Sequence, residues 1–170
     1  MKKIIKFAFI ILLLSSCRGE EKHKIIKSTD LGSRIAEISD FSDFVQGKTY
    51  LPLYSHIYHR YENQTSDLTI TISIRNISIT DSIYILKADY YNTDGDNIRQ
   101  YLNKPISLKP MESVEIIIAK ADKEGGSGAN FIFDWAVKNA KNPPLFEAVM
   151  ISTDGQQGLS FSVRGVQIFE

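Results

Sequence analysis

The chain has 170 residues with 20 basic and 20 acidic side chains, so it lacks the basic excess that tracks a nucleic-acid backbone. Its single cysteine excludes an internal disulfide, and its length suits one domain held by a hydrophobic core. No internal repeat, sustained heptad or apolar run of bilayer-spanning length occurs, which argues against a solenoid, a coiled coil and a helical membrane protein.

The N-terminus has the make-up of an export signal. Residues Met1 to Lys6 carry three lysines and no acid, Phe7 to Leu14 is unbroken apolar sequence, and the small residues Ser15 and Ser16 precede Cys17. The apolar run is too short to span a bilayer, which takes ~20 residues. Leu14-Ser15-Ser16-Cys17 resembles the lipobox of bacterial lipoproteins. That resemblance implies a signal peptide over residues 1–16, cut before Cys17, and lipid on the Cys17 thiol. Acyl chains such as palmitate, at ~0.8 kcal/mol per buried methylene, then anchor the chain to a membrane without a spanning helix. Loss of Lys2, Lys3 and Lys6 leaves 17 basic against 20 acidic side chains, a mature chain of net −3. The expected address is the bacterial cell envelope, with the outer membrane favoured. Glu20-Glu21 resembles signals that send some lipoproteins to the cell surface, although a solvated linker explains it more simply, so the membrane face stays open.

Residues 17–46 are polar with thinly placed apolar side chains. We read them as the lipidated cysteine and a tether, with a short helical turn within Arg34 to Val45. From Gly47 to Glu170 the pattern becomes that of a β domain. Lys48 to Tyr58 reads as one strand, with Leu51, Leu53 and Ile57 on its core face. Leu68, Ile70, Ile72 and Ile74 alternate with polar residues, and so do Val114, Ile116 and Ile118; Phe131, Phe133, Trp135 and Val137; and Leu159, Phe161 and Val163. Ile83 to Tyr91 and Leu145 to Ser152 are apolar on both faces, which suits strands inside a sheet. Turn signals separate these runs at Asp94-Gly95, Lys109-Pro110, Gly125 to Gly128, Asn142-Pro143-Pro144 and Asp154-Gly155. The stretch Ile106 to Ser113, which includes Pro110, looks like a common corner of immunoglobulin-like domains, where a proline turn leads into a strand that crosses the sheet edge. The expected fold is all-β: an antiparallel, immunoglobulin-like β-sandwich of seven to eight strands, without the antibody cysteine pair.

Several segments together resemble a bacterial family known as a domain of unknown function, the thirty-one-twenty-four family. They are Tyr54-Ser55-His56-Ile57-Tyr58, Asp89-Tyr90-Tyr91 with Asp94-Gly95, Tyr101-Leu102, Gly125 to Phe131, Asn142-Pro143-Pro144 with Glu147 to Met150, and Gln157 to Phe161 with Arg164-Gly165. The resemblance covers about Lys48 to Ile168. It implies an exported, often lipid-anchored β domain, and brings no activity, ligand or catalytic residue.

The residues themselves offer several chemistries. His56 and His59 are metal-ligand candidates, but residues three apart on a strand point to opposite faces, and the third histidine, His23, lies in the tether. The even positions Tyr50, Pro52, Tyr54, His56 and Tyr58 would form a row of rings able to stack on sugar or clasp a peptide, or would simply be buried; Tyr90, Tyr91 and Tyr101 would extend it. Asn92 to Asn97 fails the spacing of a helix-loop-helix calcium loop, and a hairpin turn at Asp94-Gly95 explains it better. Gly125 to Ala129 partly mimics a nucleophile elbow at Ser127, but no helix follows it; a mobile or ligand-facing glycine loop is expected, with Asn130 beside it. Asp89, Asp134 and Glu147 sit among apolar neighbours and need partners such as Arg99 and Arg164. Glu147, Arg164 and Asn130 would make a functional cluster if the fold brought them together.

The sequence therefore points to a non-catalytic binding module for an envelope protein or glycan, with Tyr54, His56 and Tyr58 as contacts and no cofactor beyond the lipid. Alternatives are a metal-binding domain using His56 or His59 with a nearby carboxylate, and an envelope enzyme of another type.

Overall fold

The computed structural model describes residues 31–38, 40–153 and 157–169. The signal peptide, Cys17, Glu20-Glu21, His23 and the Asp154-Gly155 turn lie outside them.

Two antiparallel sheets pack face to face. Strands β1 (Val45–Pro52), β5 (Ile83–Tyr91), β6 (Asn97–Gln100), β9 (Asn130–Val137) and β12 (Val166–Ile168) run in the order β12-β1-β9-β5-β6, and β7 (Ile106–Leu108) also pairs with β5. The second sheet has the order β11-β10-β4-β8, from β11 (Leu159–Arg164), β10 (Leu145–Ser152), β4 (Thr69–Arg75) and β8 (Ser113–Ile118). Strands β2 (His56–His59) and β3 (Tyr61–Asp67) form a separate hairpin between β1 and β4. The all-β sandwich is as expected. Its strands number twelve among the described residues, because short pairings such as β6, β7 and β12 carry too few residues to show a period.

Alternation decides which side chains meet between the sheets. Ile70, Ile72 and Ile74 of β4 and Phe131 and Phe133 of β9 are fully buried. Phe131 stacks on Phe133 at 5.1 Å, and Phe133 stacks on Phe146 of the opposite sheet at 4.4 Å between centroids. Such ring contacts add to the burial that drives the sheets together. Strand β5 has two apolar faces because Phe41 and Phe44 cover its outer side at Tyr84 and Leu86. Strand β10 is interior to its sheet, but it buries one face only and leaves Val149 and Ile151 exposed on the other.

At the Pro110 corner the chain leaves one sheet for the other: β7 pairs with β5, and β8 pairs with β4. Met111 completes that turn with a φ of 63°. A side chain in this region costs about 1–2 kcal/mol, which glycine does not incur. Met111→Gly is therefore expected to raise the unfolding midpoint by several degrees, given roughly 1 kcal/mol of relief. A midpoint that stays put or falls would show that the Met111 side chain compensates for its backbone.

Two sequence expectations change. The domain takes in chain upstream of Gly47. Ile35 bridges Ile106, the Ala36 N–H donates to the Pro105 carbonyl at 2.8 Å, Arg34 meets Glu112 at 2.9 Å, and Phe41 packs against Tyr84. The helical turn falls at Leu31–Arg34 rather than further on. These contacts are largely backbone pairings and single side chains, so no apolar periodicity marks them. The second change is that Lys48 to Tyr58 is not one strand. It breaks after Pro52, which has no N–H to continue a ladder, and Leu53 to Ser55 carry the chain over the end of the sandwich into the hairpin.

Candidate functional site

The break at Pro52 distributes the aromatic row over three environments. Tyr50 and Pro52 remain on the outer face of the six-stranded sheet, where Tyr50 pairs with Ile132 and Pro52 with Asn130. Tyr54 is half-buried and meets Phe161 edge-on at 5.8 Å. His56 and Tyr58 sit on the hairpin in a T-shaped contact at 5.7 Å. The core face is as expected: Leu51 and Leu53 are buried, and Ile57 packs against the core from its margin.

The hairpin is rooted firmly and exposed at its tip. The Leu53 N–H donates to the Ala129 carbonyl at 2.7 Å, the Ser55 N–H to Gly126 at 2.9 Å, and the Leu68 N–H to Ser55 at 2.9 Å. The Ser55 hydroxyl shares a buried 3.2 Å hydrogen bond with the Tyr90 hydroxyl. Burial pushes the Tyr90 phenol above its ordinary range, and the bond to Ser55 opposes that rise. Lys123 meets Asp67 at 2.7 Å across the base. Beyond this base the register shifts between Tyr58 and His59, and Arg60 turns the chain at a φ of 60°. Tyr58 is 57% and Tyr61 67% exposed, and Glu62 to Thr65 are exposed with them. Two large rings held in water on a short hairpin are uncommon unless something covers them. Tyr61 was not singled out from sequence because Tyr61 to Asp67 is polar and shows no alternation. The available signal was an aromatic residue one position from Arg60 and two from His59.

The glycine segment serves the structure. Gly126–Gly128 is a single 3-10 turn leading into β9, with Gly126 at φ +73°. The loop is fastened rather than free: Thr93 donates to the Gly125 carbonyl through its N–H at 3.0 Å and its hydroxyl at 3.1 Å, and the Gly128 N–H donates to Thr93 Oγ1 at 2.9 Å. A Cβ on Gly125 would overlap the Tyr90 hydroxyl. The mobile or ligand-facing loop expected from sequence is thus a close-packed floor beneath the hairpin. The Asp94-Gly95 segment is the expected turn between β5 and β6. Gly95 has a φ of 86°, and Asn92 Oδ1 accepts the N–H groups of Asp94 and Asp96 at 3.0 and 2.9 Å.

The acid and arginine candidates do not converge. Glu147 lies opposite Arg164 in the β10–β11 register and contacts Arg75 at 3.6 Å, on the outer face of the four-stranded sheet. Asn130 alternates with the buried Phe131 and so faces outward from the other sheet. The two outer faces point in opposite directions, so Glu147, Arg164 and Asn130 make no common site. Asp134 pairs with Lys87 at 3.7 Å. Asp89 is on the same face; burial, aided by the neighbouring Asp134 charge, holds its carboxyl above the usual range, and Lys87 opposes that rise. Arg99 is taken by acids that the sequence reading did not name: Asp122 at 2.8 Å and Glu124 at 2.7 Å, with the guanidinium over the Tyr90 and Tyr101 rings. The Asp122 hydrogen bond, chiefly, raises the Arg99 pKa. Among the described residues no three His, Cys, Asp or Glu side chains gather as a metal cage.

Comparison with known proteins adds a family and little chemistry. The sequence model of the family described as "Protein of unknown function (DUF3124)" matches residues 46–168. No curated protein matches the chain. Among solved structures, the protein titled "Crystal Structure of Thermotoga maritima 1070" is similar at a TM-score of 0.45 and 9% identity, covering 71% of this chain and 92% of that one.

Proposed function

We propose, for a chain that belongs to the DUF3124 family of proteins of unknown function, a non-catalytic binding role at the bacterial cell envelope, exercised through the β2–β3 hairpin on a protein partner. The supporting observation is the exposure of Tyr58 and Tyr61 on a hairpin whose base is fixed by backbone hydrogen bonds. Tyrosine and arginine are among the side chains that most often dominate protein interfaces, and Arg60 lies between the two tyrosines in the chain. His56 supports Tyr58 edge-on, and Tyr54 buttresses the hairpin against Phe161. The absence of convergence among Asp89, Glu147 and His56 weighs against acid–base chemistry, which needs groups facing one cleft. The sequence of the leader supports lipid attachment at Cys17, and with it a membrane-held domain.

The test places a photo-crosslinking residue at position 61 in cells. A discrete adduct is expected, and Tyr58→Ala should weaken its formation about thirtyfold, the loss of ~2 kcal/mol typical of a central interface residue. Unchanged crosslinking in Tyr58→Ala, at an unchanged unfolding midpoint, would rule this surface out. Crosslinking to polysaccharide in place of protein would reassign the ligand as a glycan.

A further inference from the structure

The end of the sandwich remote from the hairpin carries a second feature. There β4 ends beside the starts of β8 and β10, since Arg75 pairs with both Ser113 and Leu145. Loops 76–82, 109–112 and 138–144 meet at this end. Ile79 is 79%, Met111 66% and Ile77 43% exposed, so three long apolar side chains stand in water on two adjoining loops. The loops are not loose. The Met111 N–H donates to the Ser78 carbonyl at 3.1 Å, and the buried Asn76 amide donates to the carbonyls of Asp81, Leu108 and Lys109. The left-handed backbone at Met111 is thereby held in place with its side chain outward. Lys109, Lys138 and Lys141 are exposed on the same three loops. The nearby acids are engaged locally: Glu112 meets Arg34 and accepts the Lys109 N–H, and Asp81 accepts the Thr80 hydroxyl. These loops thus carry three lysines against two carboxylates, a small cationic excess beside an apolar tip.

We infer that this end is a membrane-contact tip: Ile77, Ile79 and Met111 enter the interfacial region of a bilayer, while Lys109, Lys138 and Lys141 lie against anionic lipid headgroups. Aliphatic side chains on such loops enter the headgroup–acyl boundary at reduced cost, because the N–H groups of Ser78, Thr80, Asp81, Met111 and Glu112 are already hydrogen-bonded. Lysines around such a tip supply the charge complementarity that selects an anionic surface. The contact is independent of the partner-binding reading. It would orient the domain with the hairpin directed away from the membrane.

The test uses the full chain with Cys17→Ser and a single environment-sensitive fluorophore on Thr80→Cys. A second protein carries the same label on Tyr61→Cys. Residues Phe7 to Leu14 could hold either chain on a vesicle, so the readout is depth at the label and not binding. With phosphatidylglycerol-containing vesicles, the label at 80 should shift to the blue, become protected from iodide and be quenched by acyl-chain nitroxides; the label at 61 should do none of these. Ile79→Ser with Met111→Ser should abolish the response at 80 at an unchanged unfolding midpoint. Lys138→Gln with Lys141→Gln should raise the lipid concentration required by about fivefold per lysine. The inference fails if the label at 80 stays open to iodide, if the serine variant responds like its parent, if pure phosphatidylcholine serves equally well, or if the label at 61 responds alike. None of these outcomes bears on crosslinking at position 61, so the two readings stand or fall separately.

Discussion

Asn76→Asp is expected to be about 3–5 kcal/mol less stable than the parent at neutral pH, and much closer to it in acid. Asn76 is buried, and its amide nitrogen faces three main-chain carbonyls: Asp81 at 2.8 Å, Leu108 at 3.2 Å and Lys109 at 2.9 Å. Its Oδ1 accepts the Ser78 N–H at 2.9 Å. One side chain therefore ties the loop after β4 to the corner between β7 and β8. Aspartate retains the acceptor and exchanges the donor for a second oxygen among those carbonyls. Burial and carbonyl repulsion both oppose ionisation, so the folded-state pKa of the new acid must exceed its unfolded value of about 3.9. A raised folded pKa makes stability greatest below the unfolded pKa and removes it as pH rises through the folded one. Asn76→Ala should lose about 2–3 kcal/mol with little dependence on pH, because it leaves the carbonyls unpaired but adds no charge. Urea unfolding of both variants near pH 4 and pH 7, either side of the new carboxyl's titration, separates the cases. Equal losses for Asn76→Asp at the two pH values would show that the loops move apart and let water in.

The second large effect is expected at Gly47. This residue pairs with Trp135 in the β1–β9 register, and a Cβ there would overlap the indole ring. The indole cannot swing away without cost. It is buried, and its Nε1–H donates to the Thr49 hydroxyl at 2.9 Å. Thr49 is confined in turn, because Gly165 brings the crossing between β11 and β12 against its methyl group. Gly47→Ala should cost about 3 kcal/mol, the upper end for overpacking a core. A smaller ring should relieve the overlap, so Trp135→Phe should recover a large part of the Gly47→Ala loss in a double-mutant cycle. Additive losses from the two substitutions would mean that the sheet backbone, and not the ring, gives way.

Period-two alternation made β4, β8, β9 and β11 legible from sequence, and apolar runs did so for β5 and β10; all but β11 bury apolar residues, and Phe161 and Val163 of β11 pack against the core from its margin. The Asp94-Gly95 turn was legible because its backbone, with Gly95 at a φ of 86°, calls for glycine. What escaped is held by backbone. The pairing of β2 with β3 involves a run from Tyr61 to Asp67 without an apolar stripe, and Ile35 joins the sheet through one bridge. Tyr54, His56 and Tyr58 were recognised, but as neighbours on one face. Only the break after Pro52 separates a buttress, Tyr54, from an exposed ring, Tyr58. Glu147 and Arg164 lie opposite one another across β10 and β11, but the ion pair of Glu147 is with Arg75, and Asn130 belongs to the other sheet, which spacing along the chain does not reveal.

The place of β12 beside β1 has a kinetic consequence. The first strand of the sandwich hydrogen-bonds to the last, with Lys48 opposite Ile168 and Tyr50 opposite Val166. Closing so long a loop comes late in folding, because its entropy must be lost before the contacts repay it. A nascent chain emerging from a ribosome cannot complete this six-stranded sheet until Val166 to Ile168 have been synthesised. Until then β1 keeps an open edge, and the chain stays in an incompletely folded form whose unpaired edge is exposed to wrong partners.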